Sequence, residues 1–370
     1  MNLFGSNQGS DILNLITQIL FIAFLFMAFT GADARLRMYL WAKNIRARME
    51  EIKKMADESA EELEDVLKKL NAKNPKELVK RLNEFFSIPP VDIEPTDITK
   101  RLGHILRTGF KRWESLVDQY LDEKIPRAEK HNIMVMSEIS NNLNLIYKVI
   151  RHYLLTALKT NNFFLMMQLW MIMPMITKMS KTLKEAMETF KHCRPVGDSA
   201  GPLVAFRLLK NKKRLWRPAE DTVAGEVDID GRTVIVVKAE GPGATVGNPG
   251  EAIRKVVEER RGNVDLIMTI DAALKLEGEE TGSIAEGVGA AIGDPGPEKI
   301  AIERVATKYG IPLESIVIKM SAEEAITDMP EKVAKAVDKV VEMVVNRIKE
   351  LPKGATAVIA GIGNTCGVAQ

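Results

Sequence analysis

The chain has 370 residues, enough for two domains that each bury a core of their own. Its 52 Lys and Arg residues nearly balance its 50 Asp and Glu residues, so the charge gives no reason to expect nucleic acid as a partner. Two cysteines are too few for a disulfide framework and lack the spacing of a metal site, which favours a reducing compartment.

The first predicted element is a transmembrane anchor within residues 1–34. From Ile12 to Ala32 the chain carries no charge, and these 21 residues would span about 30 Å as a helix, the thickness of a hydrocarbon core. No Lys or Arg precedes Arg35, whereas several follow it, so the positive-inside rule places the N-terminus outside and the bulk of the chain in the cytoplasm. We expect a single-pass protein of the cell membrane. The alternative is a helix buried inside an oligomer.

A long juxtamembrane helix is predicted over residues 35–75. Apolar positions alternate in steps of four and three from Ile45 to Leu70, which makes a heptad seam of about four repeats. The seam fits a coiled coil, and it fits equally an amphipathic helix that lies on the following domain.

A helical domain is predicted over residues 76–192, with a break at Ser87–Pro90. It contains a Met-rich apolar run from Phe163 to Ile176, which at 14 residues is short for a membrane span. The run favours a core or subunit-interface helix, and hence a homo-oligomer. Contact with the membrane surface and a second span are the alternatives.

The composition changes at residue 193, and an α/β domain with a mostly parallel sheet is predicted for residues 193–370. Of the 25 glycines, 20 lie between Gly197 and Gly367. Asp230-Gly231 is a strong hairpin turn between two strands. Short apolar strands then alternate with helices, which is typical of parallel sheets. The predicted strands are 223–229, 232–238, 265–270, 315–319 and 355–360, and the helices begin near Ser199, Pro249, Pro297 and Pro330.

Three glycine segments in this domain share one spacing, and two of them directly follow strands. They are Gly241–Gly247, Gly287–Gly293 and Gly361–Gly367. Backbone amides in such turns approach phosphates or carboxylates closely. The candidate ligand-binding residues are Gly197, Gly241, Gly243, Gly361, Gly363 and Asn364. Glu240 and Pro242 weigh against a nucleotide, because one repels a phosphate and the other lacks an amide donor.

Two carboxylates are the candidate catalytic and metal-binding residues. Asp198 precedes an apolar helix, and Asp271 follows the apolar strand that ends at Ile270. Two such aspartates at one sheet can share a divalent metal ion or a proton. The structural alternatives are helix capping for Asp198 and a turn role for Asp271.

Histidine is absent from the predicted α/β domain, since all four histidines precede Cys193. A Ser-His-Asp or Cys-His triad within that domain is therefore excluded. Cys366 lies in the last glycine segment and could be a nucleophile, although an exposed thiol near the end of a chain is more often incidental. The basic segment from Arg207 to Arg217 fits a solvated face, with lipid headgroups or RNA as alternative contacts.

Taken whole, the chain resembles an archaeal family of membrane-anchored proteins of unknown function. The resemblance covers essentially the full length and rests on three motifs. They are Phe85-Phe-Ser-Ile-Pro-Pro-Val-Asp92, Gly197-Asp-Ser-Ala-Gly-Pro-Leu-Val204 and Gly361-Ile-Gly-Asn364.

The α/β domain also resembles, more distantly, the hydrogenase-maturation and spore-germination proteases. The maturation proteases have a GIGN-like turn, a GD-x-x-GP segment and a strand that ends in Asp-Ala, matched here by Gly361–Asn364, Gly197–Pro202 and Asp271-Ala272. The order differs, because the GIGN turn lies at the C-terminal end, so the resemblance implies a circular permutation. It also implies that Asp198 and Asp271 bind a metal, although the histidine ligand of that family has no counterpart here.

These observations leave three functional hypotheses open. The first is a membrane-tethered, peptidase-like hydrolase that uses Asp198 and Asp271 with a metal or as an acid/base pair. The second is a non-enzymatic homo-oligomeric scaffold at the membrane. The third is a regulator that binds a nucleotide or phosphate through its glycine segments. A small molecule or peptide is the expected partner in the first, and nucleic acid is expected in none.

Overall fold

A computed structural model describes residues 17–18, 21–22, 32–88, 90, 97–293 and 296–370 of the chain. The predicted membrane span lies largely outside the described residues, although the two short stretches at 17–18 and 21–22 are helical. The predicted break at Ser87–Pro90 lies partly outside them as well, because Pro89 is not described.

The N-terminal and middle regions are helical, and among the described residues the strands begin after residue 210. A 3-10 turn, Gly197–Ser199, leads directly into the sixth helix. In chain order the elements are α1 (Ala32–Lys69), α2 (Pro75–Leu82), α3 (Ile98–Asp118), α4 (Arg127–Lys159), α5 (Phe163–Lys191), α6 (Ala200–Leu208), β1 (Arg214–Ala219), β2 (Thr222–Ile229), β3 (Arg232–Ala239), α7 (Pro249–Glu259), β4 (Leu266–Leu274), β5 (Ile284–Val288), α8 (Pro297–Tyr309), β6 (Leu313–Met320), α9 (Ala322–Ile326), α10 (Glu331–Glu350) and β7 (Thr356–Gly361).

The chain divides into two compact units. The first contains the described residues up to Ala56 together with Leu143–Ser180, and the second contains Asp57–Asn142 together with Lys181–Gln370. In the first unit, α1 packs against α4 and α5. Ile45 and Ile52 of the predicted heptad seam are buried in this packing. Helices of the same chain therefore cover these seam positions. This agrees with the alternative of an amphipathic helix that lies on other helices of the protein.

Helix α5 extends the predicted apolar run by more than four turns and keeps Pro174 inside the helix. Within the described part of the chain, it is the helix that is long and apolar enough to cross a membrane, and 28% of its most apolar window is buried. Core helices of globular proteins share this length and composition, so the property alone does not place α5 in a membrane.

The second unit contains a mixed seven-stranded sheet in the order β1-β2-β3-β7-β4-β6-β5. The four strands β3, β7, β4 and β6 run parallel to one another. Strands β1 and β2 on one side, and β5 on the other, are antiparallel to their neighbours. The predicted fold class, a mostly parallel sheet with a hairpin on one side, is confirmed at this level.

Both faces of the sheet are covered by helices, and β3 illustrates why its sequence is almost continuously apolar. Val234 and Val236 are buried in the cluster that contains α6 and α10, whereas Ile235 and Val237 are buried in the cluster that contains α7 and α8. Successive side chains of a strand point to opposite faces. A central parallel strand between two helical layers therefore carries no polar face.

The two outermost strands, β1 and β5, were not predicted. Strand β1 begins within the basic segment that was interpreted as a solvated face, and Arg214 and Arg217 in it are indeed exposed. Strand β5 has no buried residue. Edge strands of this kind lack the apolar alternation on which strand prediction depends, and charge on them blocks pairing with another chain.

Candidate functional site

Asp271 lies where strand β4 continues past the end of its neighbour β7. The β4–β7 pairing ends at Ile270 and Gly361, whereas the pairing of β4 with β6 continues to Leu274 and Met320. Asp271 therefore lies within β4, not after it as predicted, and is 5% exposed. Its carboxyl group is held beside the turn into which β7 leads.

Asp198 reaches the same edge of the sheet from the other end of the domain sequence. It lies in the 3-10 turn before α6, and its Oδ2 accepts a hydrogen bond of 2.7 Å from the backbone N–H of Asn364. This contact joins two of the motifs that carried the resemblance to the maturation proteases.

The Gly361–Asn364 turn brings the two carboxylate segments together by close backbone packing. The N–H of Ile362 donates to Ile270 O, the residue before Asp271, at 2.8 Å. Gly363 has a φ of 123°, and a Cβ added there would lie 2.1 Å from Asp198 O. Only glycine satisfies both the backbone angle and the contact at this position. The turn thus contacts the Asp198 segment on one side and strand β4 on the other.

The electrostatics of the two carboxyl groups are linked. Burial, and then the negative charge of Asp198, raise the pKa of Asp271 to about 7, against the opposing hydrogen bonds from the amides of Ala272 and Gly293. Burial also raises the pKa of Asp198, and the Asn364 amide opposes it. Because the charge of Asp198 raises the pKa of Asp271, ionisation of one group opposes ionisation of the other.

The sequence left open that Asp198 caps a helix and that Asp271 lies in a turn, and neither carboxylate has that role. The N-cap residue of α6 is Ser199, so Asp198 does not cap that helix. Asp271 lies inside a strand, not in a turn, and it accepts from the amide of the next residue, Ala272, at 2.8 Å. That the pair is catalytic or binds a metal stays a prediction.

The first and third glycine segments pack against each other. Thr365 donates from its N–H to Thr245 O at 2.9 Å and from its hydroxyl to Gly243 O at 2.8 Å. A Cβ at Gly241 would lie 1.8 Å from Val368 O, so these glycines permit two backbones to touch. Of the seven amides from Ile362 to Val368, six donate within the protein. Few donors remain in the third segment for a phosphate.

The other predicted ligand-binding glycines have similar packing roles. A Cβ at Gly197 would lie 2.2 Å from Glu324 O, one at Gly361 would lie 2.2 Å from Gly201 O, and one at Gly243 would lie 2.6 Å from Ala128 Cα. These positions are therefore glycine because neighbouring backbones approach them. Ligand binding at them stays a prediction.

The second glycine segment also reaches the carboxylates, which sequence reasoning missed. Its Ala291 N–H donates to Thr269 Oγ1 at 2.8 Å, and Gly293 N–H is a hydrogen-bond donor to Asp271. The repeated glycine spacing was visible in the sequence. Nothing in that spacing indicated that this segment, and not the first, approaches Asp271.

A buried lysine on β3 was also missed. Lys238 is fully buried, it lies in register with Gly361 of β7, and its Nζ donates to Ala239 O at 2.9 Å. Burial lowers the pKa of Lys238 to about 8. Nothing in the sequence distinguishes a buried lysine near the end of an apolar strand from a lysine that faces solvent.

The donor set at the site limits how it can hold a metal. Among the described residues, no group of three or more His, Cys, Asp or Glu side chains lies close enough to share an ion. A divalent ion between Asp198 and Asp271 would need its remaining ligands from backbone, amide, water or substrate oxygens.

The expectation that Cys366 is exposed is wrong. Its side chain is fully buried, because the third glycine segment folds back against the residues that precede α6. The hydroxyl of Ser199 donates to Cys366 O at 3.4 Å.

Two family models match the chain. Residues 19–193 match the model described as "Protein of unknown function (DUF1512) N-terminal domain", and residues 196–369 match "Domain of unknown function (DUF1512) C-terminal". No curated protein sequence matches the chain.

Proposed function

We propose that this chain, which belongs to the DUF1512 family, is a hydrolase in which Asp198 and Asp271 share one proton and act as a general acid and base on a peptide-like substrate. One observation carries the proposal: burial and the charge of Asp198 raise the pKa of Asp271 to about 7. A carboxyl pair that holds one proton near neutral pH has both a proton donor and a proton acceptor available at once.

The surroundings of each carboxyl group suggest how the roles divide. The Asn364 amide donates to Asp198 and so favours its ionised form, and the negative charge of Asp198 is one of the causes that raise the pKa of Asp271. We assign the proton to Asp271, which then donates to the substrate carbonyl or leaving group. Asp198 accepts a proton from the attacking water. General acid–base catalysis of this kind contributes about 10²–10⁴-fold in rate.

The proposed circular permutation of a maturation-protease-like fold has support from the contacts of the tail. The last residues lie against the first residues of the α/β region: a Cβ at Gly367 would lie 2.7 Å from both Cys193 O and Pro195 N. A link from the tail to residue 195, with the chain break moved to a point before β7, would therefore require little rearrangement. In the proposed ancestor, β7 and its turn would precede Asp198, as they do in that family.

The location that we propose is the cytoplasmic face of a membrane, with the uncharged stretch from Ile12 to Ala32 as the anchor. Support comes from the length of this stretch and from the basic residues that follow it. Peptide-like substrates at or near the membrane surface would then be the accessible ones.

Two alternatives make different demands on the structure. A phosphate- or nucleotide-binding regulator needs free amides, and six of the seven from Ile362 to Val368 are already donors within the protein. A homo-oligomeric scaffold needs no site at all, and the exposed residues Met171 and Met175 of α5 favour it. The scaffold gives no reason, however, for two mutually repelling carboxyl groups at one sheet edge.

The test uses the full chain in detergent and a defined mixture of peptides, with cleavage read by mass spectrometry. Asp198→Asn and Asp271→Asn each remove one titrating group and keep the shape of the side chain. Asp228→Asn, on the β2–β3 hairpin, is the matched control. We expect the wild type and the control to cleave, and both site variants to lose about 10²-fold or more in rate.

Two results would replace the proposal. If the wild type cleaves no peptide between about pH 5 and pH 9, a range that brackets the expected titration, the scaffold becomes the better account. If the protein binds a divalent ion that both site variants lose, and a chelator abolishes cleavage, the pair is a metal site and not a proton-sharing one.

A further inference from the structure

A second pair of reactive side chains lies outside the carboxylate site. Cys193 follows the end of α5 in a left-handed backbone conformation with φ 50°, and Cys366 lies in the third glycine segment. Both are free cysteines, and each thiol shifts the pKa of the other. No sequence pattern indicates this pairing, since the two residues lie at opposite ends of the α/β region.

Backbone contacts fix the two cysteine segments against each other. The N–H of Gly367 donates to Pro242 O at 2.9 Å, and Cys193 Sγ lies 3.2 Å from the same oxygen. A Cβ added at Gly367 would lie 2.7 Å from Cys193 O. The proximity of the thiols therefore depends on main-chain packing, not on one side-chain rotamer.

The two thiols differ in exposure and in acidity. Cys193 is half-buried, whereas Cys366 is fully buried. Hydrogen bonds, first from the Cys366 thiol and then from Asn132 and the Gly367 amide, lower the pKa of Cys193 well below its usual value. The same partnership and burial raise the pKa of Cys366. One thiol is thus the accessible nucleophile, and the other is its sheltered neighbour.

We propose that Cys193 and Cys366 are a site of reversible oxidation that closes to an intramolecular disulfide when the protein meets a peroxide. The Cys193 thiolate attacks the peroxide oxygen, which gives a sulfenic acid and, after uptake of a proton, one water. The Cys366 thiol then attacks the sulfenic sulfur; the S–S bond forms, and the hydroxyl leaves with the thiol proton as a second water. Two thiols and one hydrogen peroxide give one disulfide and two waters, and a dithiol reductant reverses the change.

Such a site suits the reducing compartment that two cysteines indicated, because disulfides there are usually transient. It also lies close to the carboxylates. The Cys366 N–H donates to Asn364 Oδ1 at 2.8 Å, and the Asn364 N–H donates to Asp198. Oxidation would tie the end of α5 to the segment that holds Asp198. The proposal stands whether or not the carboxylates are catalytic.

The test treats the reduced full chain in detergent with hydrogen peroxide at a one-to-one ratio, then alkylates free thiols and maps the peptides by mass spectrometry. We expect a peptide pair joined through Cys193 and Cys366, no covalent dimer, and full reversal by a dithiol reductant. Cys366→Ser removes the second step, so a sulfenic acid at Cys193 should accumulate and be trapped by dimedone. Cys193→Ser should slow the oxidation of Cys366 by about 10-fold or more, because that thiol is buried and protonated.

Oxidised wild-type protein that carries separate modifications on the two cysteines, or a disulfide between chains, would overturn the proposal. So would oxidation of Cys366 in the Cys193→Ser variant at the wild-type rate. If a serine variant does not fold, the presence or absence of the joined peptide pair in the wild type still decides the question.

Discussion

Replacement of Asp271 by Asn should stabilise the protein at neutral pH, and the gain should disappear in acid. Asn keeps the shape of the side chain, and its oxygen still accepts from the Ala272 amide. Burial and the charge of Asp198 raise the pKa of Asp271 from an ordinary 3.8 to about 7. At about 1.4 kcal/mol per pH unit, the ionised form lowers the free energy of unfolding by about 4 kcal/mol.

The direction of this pH dependence follows from proton binding. Between the two pKa values the folded state holds a proton that the unfolded state has released, so the stability of the wild type falls as the pH rises from 3.8 to about 7. The Asn variant has no such proton. It should therefore exceed the wild type by about 4 kcal/mol at about pH 7.5, and by only about 1 kcal/mol at about pH 4.5.

The assay is urea denaturation at these two pH values, read by pulse hydrogen exchange of the β4 peptide, so that the transition is assigned to the sheet. Asp228→Asn, a half-exposed carboxylate on the β2–β3 hairpin, is the control and should change little at either pH. A gain that is equal at both pH values, or a loss of stability at neutral pH, would refute the reasoning.

Three further substitutions test other parts of the account with the same denaturation assay. Lys238→Met should stabilise by about 3 kcal/mol at neutral pH, because burial lowers the lysine pKa from 10.5 to about 8, and the gain should fade as the pH rises from 8 to 10.5. Gly363→Ala should destabilise by about 1–3 kcal/mol, since the added methyl meets Asp198 O. Arg127→Met should destabilise by about 1–3 kcal/mol at neutral pH, because it leaves the Asp221 carboxylate buried without its 2.7 Å ion pair. Burial opposes ionisation of Asp221, but His131 and Arg127 lower its pKa. The destabilisation by Arg127→Met should therefore shrink as the pH falls below 3.8.

Each of these has a matched control. Lys339→Met replaces an exposed lysine on α10 and should be nearly neutral. Gly231→Ala places a methyl at a positive φ with nothing within 4 Å, which separates backbone strain from the contact at Gly363. Arg217→Met removes an exposed ion pair and should leave stability nearly unchanged. A control that matches its partner in size and pH dependence would contradict the corresponding prediction.

The central sheet was predictable because its signals are local. Asp230-Gly231 sets the hairpin between β2 and β3, and Ile229 pairs with Arg232 as a two-residue turn requires. The parallel strands were visible as short apolar runs followed by helix starts, and α7 and α8 both begin at the expected prolines. Strands β1 and β5 lie at the edges and carry no such pattern.

The candidate site was only partly predictable, because its geometry depends on contacts between distant segments. Asp198 and Asp271 were singled out from their positions beside an apolar helix and an apolar strand, and the structure brings both to the Gly361–Asn364 turn. The Gly293 amide, by contrast, reaches Asp271 from a loop that no motif connects with it. The burial of Cys366 follows from the packing of one glycine segment on another, which a sequence pattern does not specify.

Infrared titration of the carboxyl C=O stretch in the full chain tests the central claim most directly, through the difference between the wild type and Asp271→Asn. We expect this difference to contain one protonated carboxyl that ionises with a midpoint near pH 7, and we expect Asp198→Asn to move the midpoint of Asp271 to lower pH by removing a negative charge. A difference spectrum without any carboxyl that titrates above about pH 5 would mean that the two aspartates do not share a proton near neutral pH, and the proposed acid–base pair would be contradicted.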